Sequence, residues 1–403
     1  MNRKIKILHL SNNPEASLAG GTERFFDQFV NHMPEYEHVV IGSNLVYQSG
    51  IKNGLESYDY SFERGHGGRW FRVKEILLFP WTMIQSLFFV IKFYPTIQSA
   101  DIVIYSNGSL NSMVTYTPIL KLLGKKMLYI FHGEFPQNKF YNWGILGYYW
   151  RQCFRHVDVV SISRTVQNSV KSLNLNESKN HLIYNGTNVP KNLIYNEQKT
   201  QTLGYIGSLK KIKGVRTLIE FIQSYNHTYN HTNNPSFNPS YNHTFKGPKL
   251  EIIIQGEGEL YGEILELSKS NTKDSNTQIT LKPYGTDIDQ FYGDIGALIV
   301  PSLSEGFGLV VIEAMARGVV VICSDIEVFK ELNSITGNNN LLFHSGDPKD
   351  LADKISFYID NIDQYDENLR NSLQHSIAQN FDISTQMSKY KELINLIVEE
   401  HQT

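Results

Sequence analysis

Short apolar runs separated by longer stretches of helical period constrain this chain more than any other feature. Residues 5–10, 38–41, 101–105, 126–131 and 157–162 are such runs, rich in Ile, Val and Leu. Between the first two, Phe25, Phe26, Phe29 and Val30 recur on one face of a helix that starts near Thr22. Strands alternating with helices predict βαβ units and a parallel sheet. The pattern repeats at 203–206, 250–254, 279–281, 297–300 and 319–322. A chain of 403 residues also exceeds what one core usually supports. The reading is therefore α/β, with two doubly wound Rossmann-like domains facing a central cleft. They cover residues 1–187 and 188–382 and meet at the turn-rich Asn185-Gly186-Thr187-Asn188-Val189-Pro190. A final helix, 383–403, is expected to pack back towards the first domain.

Composition excludes some classes. The chain has 37 basic and 40 acidic side chains, a net charge of −3, so no nucleic-acid partner is expected. Its two cysteines, Cys153 and Cys323, match no metal spacing and read as buried thiols of a reducing compartment. The apolar run after Met1 is too short and interrupted for a signal peptide and reads as a first strand. A cytoplasmic location is expected, at the inner face of the membrane if the chain binds lipid. Tyr-Asn-His-Thr occurs three times between 225 and 244, a low-complexity stretch with little to bury. Residues 224–248 read as a flexible surface insertion. His227, His231 and His243 lack the carboxylate or Cys that would complete a metal site.

The chemistry concentrates in Ser304-Glu305-Gly306-Phe307-Gly308-Leu309, continuing to Glu313. A strand precedes this stretch, the glycines open a tight loop, and a helix is expected from about Gly308. Free amides at such a junction suit a diphosphate. A carboxylate repels phosphate but binds hydroxyls. Glu305 before the helix and Glu313, roughly 7 Å down its axis, would thus meet the hydroxyl-bearing parts of a nucleotide sugar. The plainer reading is a helix with one acid at its N-terminus and one exposed Glu.

This stretch resembles the Glu-x7-Glu signature of the retaining glycosyltransferases of family 4, which have the GT-B fold. The resemblance runs over nearly the whole chain. Ala19-Gly20-Gly21-Thr22 resembles the family's Gly-Gly loop, and Tyr129-Ile130-Phe131-His132-Gly133 the strand ending in its active-site His. Asn185-Gly186-Thr187-Asn188 is similar to its interdomain segment, and Gly346-Asp347-Pro348 with Leu351 to a late family pattern. Gly207-Ser208-Leu209-Lys210-Lys211-Ile212-Lys213-Gly214 resembles its phosphate loop.

The resemblance implies a hexosyltransferase that uses a nucleotide-diphosphate sugar. Lys213 would contact the diphosphate, with Gly20, Gly21, Gly207, Ser208 and Lys211 around it. Glu305 and the amides of Gly306, Phe307, Gly308 and Leu309 would hold the sugar and leaving phosphate, Glu313 the ribose, and His132 the developing positive charge. The base is expected near Lys282-Pro283-Tyr284-Gly285 and Gly256-Glu257-Gly258, with Tyr284 as a contact. No Asp-x-Asp stands in a donor-site context, so no metal or other cofactor is expected, and UDP is the carrier expected on family usage. The family often has Arg where this chain has Ser208, which leaves one positive charge fewer for the diphosphate. The competing readings are a non-catalytic sugar-nucleotide binder and another GT-B enzyme such as an epimerase.

The acceptor side is read from the first domain. Arg69-Trp70-Phe71-Arg72-Val73-Lys74 precedes an apolar stretch, 76–91, too short and interrupted for a membrane span. It reads either as a buried helix or as a peripheral helix in a membrane interface. Phe140, Tyr141, Trp143, Tyr148, Tyr149 and Trp150 follow His132 and suit an acceptor channel or membrane contact. A glycan or lipid-linked acceptor in cell-surface polysaccharide or glycolipid synthesis fits both.

Overall fold

The computed structural model of the protein describes residues 3–12, 21–42, 44–60, 81, 84–108, 110–135, 144–155, 157–194, 196–227, 249–270, 276–283, 285, 287–337 and 341–399. Two compact units emerge, one of residues 1–184 with 384–403, the other of residues 185–383.

The first unit holds a seven-stranded sheet. Its strands are β1 (Lys6–Asn12), β2 (Glu37–Gly42), β3 (Glu56–Asp59), β4 (Ile102–Gly108), β5 (Lys126–Phe131), β6 (Asp158–Ser161) and β7 (Asn180–Leu182). The order is β3-β2-β1-β4-β5-β6-β7, and every pairing is parallel. The helix Gly21–Asn31 sends Phe25, Phe26, Phe29 and Val30 into the core, as their spacing requires. The C-terminal helix Ile383–Glu399 also packs on this unit from Ser384 onward. Its buried Tyr390 meets the Phe25 and Phe29 rings, both at 5.5 Å. Lys391 pairs with Glu35 at 2.6 Å, and Asn395 accepts from the Tyr36 hydroxyl at 3.0 Å.

The second unit has six parallel strands, β8 (Thr202–Ile206), β9 (Leu250–Gln255), β10 (Thr277–Lys282), β11 (Ala297–Val300), β12 (Val320–Ser324) and β13 (Leu342–Phe343). Their order is β10-β9-β8-β11-β12-β13. Polar side chains set several helix starts. Asp347 caps Pro348–Asp360 by accepting from the Lys349 and Asp350 amides, and Asp366 caps Glu367–Asn380 through the Leu369 amide. The two chain segments at the ends of this unit pair with each other, Thr187 N donating to Phe381 O and Ile383 N to Thr187 O.

One expectation changes. The surface insertion does not begin at Ser224, because the helix Val215–His227 runs past it. Tyr225 is buried in the core, and the Asn226 side chain accepts from Thr277 N and Oγ1. One more helical turn therefore covers the start of β10. The rest of the repeat, with His231 and His243, lies outside the described residues, as do Gly20, Tyr284 and residues 61–80 and 136–143.

A buried histidine pair gives the first unit an acid-sensitive core. His38 Nε2 lies 2.9 Å from the Met33 carbonyl, which can only accept, so that nitrogen carries the hydrogen. His38 Nδ1 must then accept, and His9 Nε2 donates to it at 3.0 Å. The Phe26 and Phe29 rings meet His9 edge-on. Burial holds His9 well below the usual imidazole range, and burial also lowers His38. Both folded-state values lie below the unfolded one, near 6.5. The unfolded chain therefore binds more protons as pH falls, and stability present above about pH 6.5 is lost on acidification. Exposed His344, raised by Asp350, works in the opposite sense. Denaturant unfolding at pH 7.5 and 5.5 should show lower stability at the acid value, with a smaller difference in His9→Gln. An equal difference in both proteins would contradict this.

Candidate functional site

The second sheet reverses its winding between β8 and β11, the place where doubly wound sheets hold ligands beyond their strand ends. The loops that leave these two strands are 207–214 and 301–308, the stretches that carry most of the sequence-derived donor residues. Strand adjacency brings them together, and two details lock them. Leu303 N donates to Ile212 O at 3.0 Å. Gly214 takes a left-handed φ of +67°, and a Cβ there would lie 1.6 Å from the Pro301 carbonyl oxygen. The Tyr205 hydroxyl donates to the Ser208 carbonyl at 2.9 Å. Burial, with the Glu305 charge adding to it, holds the Tyr205 phenol far above its usual range, so it stays a neutral donor.

Lys213 and Glu305 meet across these loops. The Lys213 ammonium sits 2.7 Å from both carboxylate oxygens of Glu305. Ser302 Oγ donates to Glu305 Oε1 at 2.8 Å. The Glu305 side chain is 12% exposed and that of Lys213 33%. Lys211 is exposed, and its amide donates to Glu259. Ser208 is half-buried and contributes its carbonyl to the loop.

The helix after Gly308 is Leu309–Met315, and its N-cap Gly308 is left-handed with no side-chain cap. Phe307 is buried, with its ring packed against Phe381 at 5.8 Å. Gly308 has no room for a side chain, since a Cβ would lie 2.5 Å from the Phe329 ring. Glu313 is buried rather than on an exposed face and accepts from the Tyr292 hydroxyl at 3.4 Å. Arg317 braces this helix. It bonds the Glu313 carbonyl and Asp289, and lies 5.2 Å from the centre of the Tyr292 ring.

Beside these loops, a cavity of about 470 Å³ opens at the ends of β9 and β10. That volume falls in the small-ligand range. Gly256, Glu257, Gly258, Tyr261, Leu281, Lys282 and Pro283 line it. Both lining glycines are fixed by close approach, since a Cβ at Gly256 or Gly258 would strike the Gly207 or Leu209 backbone. Lys282 is paired with Asp294 at 2.5 Å. Sequence reasoning missed Tyr261, Leu281, Ser302, Tyr292 and Arg317. An aromatic in the first turn after Gly258 and a serine directly behind β11 were the available signals.

In the first unit, His132 follows β5, and its ring packs edge-on against Phe25 at 4.9 Å. Gly21 opens the helix Gly21–Asn31. Cys153 and Cys323 are free and buried, and burial pushes the Cys153 thiol up to about 11.

Two doubly wound parallel sheets, the second with this acid–base pair and cavity at its strand ends, define a protein of the GT-B fold. Anabaena HepE, solved in complex with UDP, superposes with a TM-score of 0.71 at 17% identity, over 97% of this chain and 100% of that one. The chain belongs to the family 4 glycosyltransferases. The model Glycosyltransferase Family 4 matches residues 19–190, and Glycosyl transferases group 1 matches residues 187–375. An uncharacterized glycosyltransferase of Methanocaldococcus jannaschii is 29% identical over 53% of this chain and 52% of its own length. The capsular polysaccharide biosynthesis glycosyltransferase CapM of Staphylococcus aureus is 26% identical over 55% and 56%. The chain thus spans about half the length of these two relatives.

Proposed function

We propose that the protein is a retaining, metal-independent glycosyltransferase. It moves a hexose-type sugar from a UDP-sugar to a glycan or lipid-linked acceptor in cell-surface polysaccharide or glycolipid synthesis. The Lys213–Glu305 pair at the winding reversal, beside a cavity of ligand size, is the observation that carries this reading. A diphosphate leaving group gains negative charge as its bond to the sugar breaks, and an ammonium within reach stabilises that charge. The Glu305 carboxylate suits sugar hydroxyls, and Glu313 suits the ribose. In front-face attack the acceptor oxygen bonds the anomeric carbon while the carbon–phosphate-oxygen bond breaks. The acceptor's proton passes to that departing oxygen, so Glu305 positions the sugar and forms no covalent bond. HepE, with bound UDP, and CapM, in capsular polysaccharide biosynthesis, support the donor and pathway class.

The test is turnover of a panel of nucleotide sugars in EDTA, with the product anomer read by NMR. Retained configuration without metal is expected. An inverted product or a trapped glycosyl-Glu305 would overturn the mechanism. Ser208, where the family often has Arg, favours the second reading of a non-catalytic binder. Donor hydrolysis above background separates the two.

The acceptor reading includes a lipid surface. The helical segment 84–92 buries Ser86, Phe89 and Val90, and Phe93 follows inward. Its other side exposes Ile84, Leu87, Phe88 and Ile91, with Trp81 before it and Tyr94 after it; Phe88 is 65% exposed and Ile91 62%. Among the described residues no helix is long and apolar enough to cross a membrane. A helix with this outer face suits the plane of a membrane interface. Phe88→Glu combined with Ile91→Glu should cut flotation with phosphatidylglycerol-containing liposomes by more than about tenfold, given roughly 1.5–3 kcal/mol per buried side chain. Equal flotation of both proteins, or none for wild type, would contradict it.

A further inference from the structure

Ser302 lies directly behind β11 and is 2% exposed. Its hydroxyl donates to Glu305 Oε1 at 2.8 Å, and its carbonyl accepts from the hydroxyl of Ser324, the buried last residue of β12. Ser302 is thus anchored to two strands of the sheet. The other partner of Glu305 is held differently. Lys213 reaches it from a separate loop on a long side chain that is one-third exposed. An ammonium that neutralises a diphosphate gives up part of its hold on the carboxylate. Glu305, 12% exposed, would then lose its cation inside a largely dry site, where a carboxylate without hydrogen bonds is costly.

We propose that Ser302 is a positioning residue of the transfer reaction, holding Glu305 through Oε1 while Lys213 turns from that carboxylate to the donor diphosphate. The inference rests on the donor-site reading above. Lys213 is the exchangeable partner of Glu305 and Ser302 the fixed one. The resting ion pair is then a clamp that a nucleoside diphosphate opens, and the free Glu305 Oε2 faces a sugar hydroxyl with its orientation kept. The hydroxyl of Ser302 matters only through the carboxylate, a dependence that a merely structural serine lacks.

Calorimetric titration of the full chain with UDP and with GDP tests this in four proteins: wild type, Ser302→Ala, Glu305→Gln and the double variant. Ser302→Ala should weaken the nucleoside diphosphate that binds by about three- to tenfold, the share of a charge-assisted hydrogen bond that grows when the ammonium leaves. Glu305→Gln should tighten it, because Lys213 is released from its acid. In the Glu305→Gln background the serine substitution should change affinity by less than about twofold. Ser302→Ala keeps the Ser324 bond to the 302 carbonyl and the Lys213 pair of Glu305, so its melting temperature should fall by no more than about 2–4 °C, the share of one hydrogen bond. Ser302→Cys, of similar volume and weaker donation, should give an intermediate loss. Wild-type affinity in Ser302→Ala, or the same loss in both backgrounds, overturns the proposal. So does the absence of any UDP or GDP binding. Unchanged affinity in Lys213→Ala would instead overturn the donor-site reading itself.

Discussion

Lys213→Ala should lower sugar transfer by about 10²- to 10³-fold, while Lys211→Ala should change it by less than about threefold. The first figure is the usual loss when one fixed donor to a developing negative charge is removed. The two lysines lie on one loop but differ in setting. The Lys213 ammonium is directed inward at 2.7 Å from both oxygens of Glu305, at the junction of the loops after β8 and β11. The Lys211 side chain is exposed, and that residue is tied down by its amide. Ser208 adds no charge, so under the proposed function Lys213 would carry a larger share than it would beside an Arg. Steady-state transfer rates of the two variants check this. Equal, near-wild-type rates would remove Lys213 from the mechanism.

Arg370→Met should destabilise the second unit by about 3–5 kcal/mol, although the residue is far in sequence from every donor loop. Arg370 is fully buried. Its guanidinium donates to the carbonyls of Tyr365 at 2.8 Å, Gly318 at 2.7 Å and Gly296 at 3.3 Å. Gly296 and Gly318 stand just before β11 and β12, so one side chain ties down the starts of two neighbouring strands. Met approximates the volume but leaves those carbonyls without donors. For a unit of this size the melting temperature should fall by roughly 6–20 °C. A fall of less than about 2 °C would show that water or backbone replaces the guanidinium at no cost.

The parallel sheets were legible because their central strands are continuous apolar runs. The strands 101–105, 126–131 and 297–300 could be read directly, since burial on both faces removes polar alternation. β3, β7 and β13 were not legible. Glu56-Ser57-Tyr58-Asp59 and Asn180-His181-Leu182 are short and polar, and β13 is two residues long. Edge strands of this kind owe their state to pairing with a neighbour rather than to their own composition.

In the candidate site, Glu305 and Lys213 were legible as members of two motifs, but not as an ion pair. They lie 92 residues apart, and only the β8–β11 adjacency brings them together. Glu313 could be read as an acid within a helix, whereas its hydrogen-bond partner Tyr292 comes from a different helix. Ser302 was hidden because one hydroxyl behind a strand has no signature until its partner is placed. Arg370 was hidden because a single basic residue in a helical pattern looks like an exposed one.

The central claim is that the loops after β8 and β11 bind and activate the diphosphate of a sugar donor. Its most direct test is the rate of UDP release from a panel of UDP-hexoses by the wild-type protein and by Lys213→Ala. Release above background from at least one UDP-hexose, lost in the variant, is the expected result. No release from any UDP-hexose, or equal release by both proteins, would contradict the account.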